Sequence, residues 1–168
     1  MTICAKGMKQ VFGEIIDGDM HLNEIGKTVQ NCWYDLEARF QDIALDAFTI
    51  MPNHIHGIIC IVGAQFIAPG ESGLMNQTPT CKSPALGEII RAFKAVCAYQ
   101  IHKNISIKFS WQRNYYEHIV RNEESLNKIR EYIINNPERW FLDRENPDRK
   151  GEDEFDSWLA TFKKRPDQ

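Results

Sequence analysis

The run Met51-Pro-Asn-His-Ile-His-Gly-Ile-Ile-Cys-Ile61 constrains this chain more than any other stretch of its sequence. Its apolar second half, Gly57 to Val62, has the composition of a strand buried on both faces, which requires a central place in a sheet with layers packed above and below. Side chains alternate along a strand, so His54 and His56 project from one face. Two imidazoles on one side of such a strand allow two readings. They are core histidines bonded to nearby backbone or carboxylate, or they are two ligands of one metal ion.

The rest of the chain supplies the layers. Val11 to Asp17 and Met20 to Leu22 read as short strands around a Gly18-Asp19 turn. Asn23 caps a helix carrying Val29, Cys32, Trp33, Leu36 and Phe40 at helical spacing. Ile43 to Met51 alternates as a strand, and the Pro52-Asn53 turn folds it antiparallel onto the histidine strand. Gly63 to Pro84 is loop-like in composition. Leu86 to about His102 is an amphipathic helix with Ile89, Ile90, Phe93 and Cys97 on its apolar stripe. Ile105 to Val120 is extended and aromatic. Asn122, followed by Glu123 and Glu124, opens a last helix through Leu126, Ile129, Tyr132 and Ile133, which stops by Pro137. The pattern is α+β: one domain with a central, mainly antiparallel sheet flanked by helices and the histidine strand in the middle. Residues 1–140 form the domain, and residues 141–168 a charged tail with Phe155, Trp158, Leu159 and Phe162 as apolar anchors.

Composition narrows the class. At 168 residues and 26% charged, the chain is long enough to bury a core, and no apolar run reaches the ~20 residues of a membrane span. No leader opens it, so a cytosolic location is expected. Its five cysteines, Cys4, Cys32, Cys60, Cys81 and Cys97, form no C-x-x-C pair and read as reduced thiols, not as a disulfide framework or zinc ribbon. The net charge is -3, but unevenly spread. Lys82, Arg91, Lys94, Lys103, Lys108 and Arg113 stand against Glu88 alone in the middle of the chain, a pattern suited to a phosphate-binding face or to an ordinary solvated helix face.

Three motifs in order carry a resemblance: Met-Pro-Asn-His54-Ile-His56-Gly-Ile-Ile, Trp111-Gln-Arg-Asn-Tyr-Tyr-Glu-His118-Ile-Val-Arg121, and Glu131-Tyr132-Ile-Ile-Asn-Asn136-Pro137. Together, from about Val11 to Trp140, the chain resembles the REP-associated tyrosine transposases of the single-tyrosine HUH superfamily. The resemblance implies a ferredoxin-like HUH fold and a metal-dependent single-stranded DNA endonuclease and strand transferase. It implies Mg²⁺ or Mn²⁺ bound by His54, His56 and Asn136, with Asn135 as the alternative register, and Tyr132 as nucleophile. A tyrosine ionises near pH ~10 and attacks a phosphodiester only with help, which a cation beside the phosphate supplies. Pro137 is expected to push Asn136 off helical geometry.

Arg91, Lys94, Arg113, Tyr115 and Tyr116 are the expected DNA-binding residues, the aromatics by stacking on unpaired bases. Trp111 and Gln112 are further candidates to position DNA, whereas His118 reads as structural. The implied partner is single-stranded DNA at hairpin-forming repeats, handled by a monomer in cis or by a homodimer. Relatives carry a longer basic segment before the first strand, whereas this chain opens at Met1-Thr-Ile-Cys, inside it. Two other readings compete: a catalytically silent hairpin-binding protein derived from a transposase, and a metal-dependent hydrolase, which lacks a carboxylate in the ligand set.

Overall fold

The computed structural model describes residues 1–62 and 84–163. The loop reading for 63–83, with Cys81 and Lys82, lies outside the described residues. In chain order the elements are β1 (Thr2–Cys4), β2 (Gly13–Ile16), β3 (Asp19–Leu22), α1 (Glu24–Tyr34), α2 (Leu36–Arg39), β4 (Ile43–Ile50), β5 (His54–Ile61), α3 (Leu86–Ile105), α4 (Glu123–Asn135) and α5 (Glu154–Lys163).

The histidine strand is central, as its composition requires. The sheet runs β1-β5-β4 with both pairings antiparallel, and β1 places Thr2 opposite His56 and Cys4 opposite His54. On its other side β1 bridges Tyr116 through Thr2, and Ala5, the residue that follows it, bridges Trp111. The segment expected to be extended over 105–120 therefore reaches the sheet only at these bridges, and α3 continues to Ile105. β2 and β3 form a separate hairpin. Its turn is Asp17-Gly18, one residue earlier than the sequence suggests, because these two residues take the positive φ angles of 52° and 89° that a tight hairpin turn needs.

Alternation along β5 builds two cores. Ile55 and Ile59 face a cluster with Trp33, Val29, Ile89, Phe93 and Cys97 from α1 and α3. Each large apolar side chain buried there contributes about 1.5–3 kcal/mol. Gly57 faces the same side, where Trp33 stacks on Phe48 with ring centroids 4.4 Å apart; the absence of a side chain at Gly57 makes room for the indole. Ile58 faces the other way and joins Ile129 and Ile133 of α4 and Phe155 of α5. His54 and His56 share the face of Ile58. The fold thus has three layers, helices α1 and α3 below the sheet and α4 and α5 above it.

The helix starts follow the sequence. The Asn23 side chain accepts from the Gly26 N–H, and the Asn122 side chain from the Ser125 N–H, caps of about 1 kcal/mol each. The single helix read through Phe40 is instead two, divided at Asp35. The strand burial expected throughout β5 holds for His54 to Ile58 and gives way to exposure at Cys60 and Ile61. Cys4, Cys32 and Cys97 are buried thiols and Cys60 an exposed one. None of the described helices is long and apolar enough to cross a membrane.

Candidate metal centre

The turn before β5 fixes the first histidine. The Asn53 amide nitrogen donates to the carbonyls of Met8 and Glu145 at 3.3 and 2.7 Å, so its oxygen is the acceptor that faces His54 Nδ1 at 2.8 Å. His54 therefore carries its proton on Nδ1 and presents the lone pair of Nε2 to the interior. Burial, with the charge of His56 next, keeps its pKa well below the ordinary histidine value, so it stays neutral. His56 is held by Thr2 of the neighbouring strand, whose hydroxyl lies 2.9 Å from Nδ1.

The two Nε2 atoms lie 2.9 Å apart. At that distance two lone pairs repel unless a proton or a cation lies between them. Two ligands at right angles on a small divalent cation, each ~2.1 Å from it, stand about 3.0 Å apart, so the spacing fits.

A carboxylate completes the group. Asp143 Oδ2 stands 3.6 Å from each Nε2, and the three ligand atoms all lie within 4.8 Å of one another. Asp143 is buried in the first residues of the stretch read as a tail, just after the 3-10 turn Trp140–Leu142, and its Oδ1 accepts from the Glu145 N–H at 2.6 Å. Burial alone would raise its pKa, but hydrogen bonding to His56 and the electrostatic field of the histidine pair outweigh this and hold it far below the usual carboxylate range. His54, His56 and Asp143 can hold a metal ion. The absence of a carboxylate, which weighed against a hydrolase, is thereby corrected.

Asn136 supports that fit. It is 1% exposed, and neither its amide nitrogen nor its oxygen makes a well-formed hydrogen bond among the described residues, although the side chain lies close enough to Tyr132 to act on its phenol. A buried acceptor left in this state costs about 1–3 kcal/mol, and a bound cation would satisfy the oxygen. Asn135 is exposed, whereas Asn136 is buried. Asn136 is the C-cap residue, just past the end of α4 as Pro137 leads one to expect, yet it keeps helical dihedrals, φ -60° and ψ -38°.

Tyr132 is brought to this group by α4. Its phenol O–H donates to Asp143 Oδ2 at 3.4 Å, its ring meets the His56 ring edge-on at 5.3 Å, and Phe155 stacks on it at 3.8 Å. Burial, followed by the charges of Asp143 and Asp156, raises the phenol far above the ordinary tyrosine value, while the Asn136 side chain and the Arg144 charge oppose the rise. A cavity of 840 Å³ opens beside Tyr132 and His56, between β5, α4 and α5.

The expected DNA-binding residues are more scattered. Arg91 is exposed on α3, in the layer beneath the sheet, and Arg113 is exposed in the segment that follows α3. The Lys94 ammonium donates to the carbonyls of Gln112, Arg113 and Asn114 at 2.9, 3.3 and 3.1 Å, a structural task that shapes that segment. Tyr115 lies under Lys94 with its ring centroid at 5.6 Å. Tyr116 is 52% exposed, lines the cavity and has the Arg144 guanidinium over its ring. Trp111 is buried in the main core.

No family model matches the chain. Over 150 residues, 86% of this chain and 82% of the other, it is 41% identical to a protein of Haemophilus influenzae described as uncharacterized. At that identity and coverage, the chain belongs to the same family as the Haemophilus influenzae protein.

Proposed function

We propose that the protein is a metal-dependent transposase or endonuclease of the single-tyrosine HUH type, which cleaves and rejoins single-stranded DNA at hairpin-forming repeats through Tyr132. One observation carries the reading. A tyrosine 76 positions after His56 stands with its phenol 3.4 Å from the carboxylate that closes the histidine group. Mg²⁺ or Mn²⁺ suits a site of imidazole, carboxylate and amide oxygen donors without thiolate.

Within this reading His54 Nε2, His56 Nε2 and Asp143 hold the cation, and the Asn136 amide oxygen adds to them. When bound, the cation neutralises charge on the scissile phosphate and stabilises the departing 3′ oxygen. Tyr132 supplies the nucleophile. Burial and the Asp143 anion keep its phenol protonated, so it is unreactive until positive charge and a phosphate are beside it. The phenol proton passes to solvent, and the departing oxygen takes up a proton from solvent. The tyrosine oxygen bonds to phosphorus, the bond to the 3′ oxygen breaks, and a 5′-phosphotyrosine and a 3′ hydroxyl result. Rejoining reverses these steps without ATP.

Asp143 also favours a second reading, because two histidines and a carboxylate form a ligand set suited to hydrolysis by water. One assay separates the readings. Full-length protein is incubated with single-stranded hairpin oligonucleotides and Mg²⁺ or Mn²⁺, then resolved on a denaturing gel. The transposase reading expects a protein–DNA adduct that disappears in Tyr132→Phe. Cleavage without adduct that survives in Tyr132→Phe belongs to a hydrolase, and binding without cleavage to a silent hairpin-binding protein.

A further inference from the structure

The residue after Asp143 has a role that the sequence motifs do not assign. Arg144 lines the cavity together with His56, Tyr132 and Tyr116. The Glu145 N–H bond to Asp143 that sets the turn also aims this arginine, so one short segment places a carboxylate at the histidines and a guanidinium beside them. The side chain is 24% exposed, its guanidinium lies over the Tyr116 ring at 5.2 Å, and its Nε donates to Glu145 at 3.2 Å. The other edge is held less firmly. Nη1 stands 3.9 Å from Asp156, an ion pair longer than a hydrogen bond.

We propose that Arg144 is the phosphate-binding residue of this cavity, presenting its Nη edge to a phosphate group beside Tyr132 and His56. A planar guanidinium braced on an aromatic ring, with one edge anchored and the other facing a cavity, suits two-pronged recognition of a phosphate. The ligand chemistry is a phosphodiester or phosphate monoanion. In the reaction proposed above, on which this assignment rests for its biological meaning, that group is the scissile phosphate. Arg144 would then stabilise the charge that builds on it as Tyr132 attacks. Exchanging Asp156 for phosphate replaces a loose ion pair with a hydrogen-bonded one.

The test uses inorganic phosphate as the probe, so that it does not depend on DNA cleavage. Full-length wild-type, Arg144→Ala, Arg144→Gln and Arg144→Lys proteins are titrated with phosphate by calorimetry, with Mn²⁺ affinity and melting temperature measured alongside. The neutral variants are expected to lose phosphate affinity by about tenfold or more, the loss of a charge-assisted hydrogen bond, with Mn²⁺ affinity unchanged and the Lys variant intermediate. If Arg144→Ala does not fold, the Gln and Lys variants carry the test. Equal phosphate binding by wild-type and neutral variants, or none by the wild-type protein, overturns the assignment. Phosphate binding that depends on Arg144 in a protein forming no DNA adduct leaves the assignment standing and overturns the proposed function instead.

Discussion

The phenol of Tyr132 and the carboxylate of Asp143 meet at 3.4 Å, although one sits on α4 and the other beyond its end. This contact joins the nucleophile candidate to the histidine group through a single oxygen atom, because Oδ2 of Asp143 also stands 3.6 Å from both Nε2 atoms. The same atom raises the phenol's proton affinity and can serve as a ligand to a cation.

Metal affinity is expected to depend on the atom behind each histidine as well as on the histidine. His54→Ala should abolish Mn²⁺ binding measured by calorimetry. Asn53→Ala removes the acceptor that keeps the His54 proton on Nδ1 and should weaken binding by about 10–100-fold with the fold retained. Unchanged affinity in Asn53→Ala would show that Nε2 needs no such orientation.

Tyr132 and His56 of one chain are in ring contact at 5.3 Å, so one chain brings together both halves of the proposed site. Mixing Tyr132→Phe with His54→Ala is therefore expected to restore no adduct above that of either variant alone. Recovery on mixing would mean that α4 is exchanged between protomers.

Gly57→Ala tests why the histidine motif ends in glycine. A Cβ there would lie 2.6 Å from Cζ2 of the buried Trp33, which has Phe48 stacked on it and nowhere to retreat. The substitution should destabilise the protein by about 1–3 kcal/mol in urea unfolding. A neutral result would mean that the core under β5 relaxes freely.

Stability should fall with acid in part through Asp46. Hydrogen bonding to Arg130, which donates to both carboxylate oxygens from α4, holds the Asp46 pKa below its ordinary value. The folded carboxyl binds its proton less tightly than the unfolded one. The contribution is thus fully present above the unfolded value near pH ~4 and is lost as pH falls through the folded one. Asp46→Asn should lower the melting temperature modestly at neutral pH, with the difference closing in strong acid, since both partners are partly exposed. A difference that persists in acid would assign the effect to packing.

What was legible in the sequence was what repeats or caps. The Pro52-Asn53 turn between two strand-like runs gave the pairing of β4 and β5, the helical spacing of Val29, Cys32 and Trp33 gave the face of α1, and Asn122 gave the start of α4. His54, His56, Tyr132 and Asn136 were found because short motifs carry them. Asp143 was not, because it lies in a run of alternating charges, Asp143-Arg144-Glu145, with no periodicity to separate a ligand from solvated neighbours. Only the 3-10 turn after Pro137 directs it inward. The contacts of Lys94 were hidden for a related reason. Lys94 looks free for DNA on a helical wheel, yet its long stem reaches three carbonyls of a segment that sequence spacing cannot place.

The most direct test of the account is to identify the residue that bears the DNA. Full-length protein is reacted with a single-stranded hairpin oligonucleotide and Mn²⁺, the product is digested with nuclease and protease, and the modified peptide is sequenced by mass spectrometry. The expected result is a nucleotide phosphate on Tyr132, lost when Mn²⁺ is chelated and in Asp143→Ala. Modification at Tyr115 or Tyr116 instead, or cleavage that leaves every tyrosine unmodified, would contradict it.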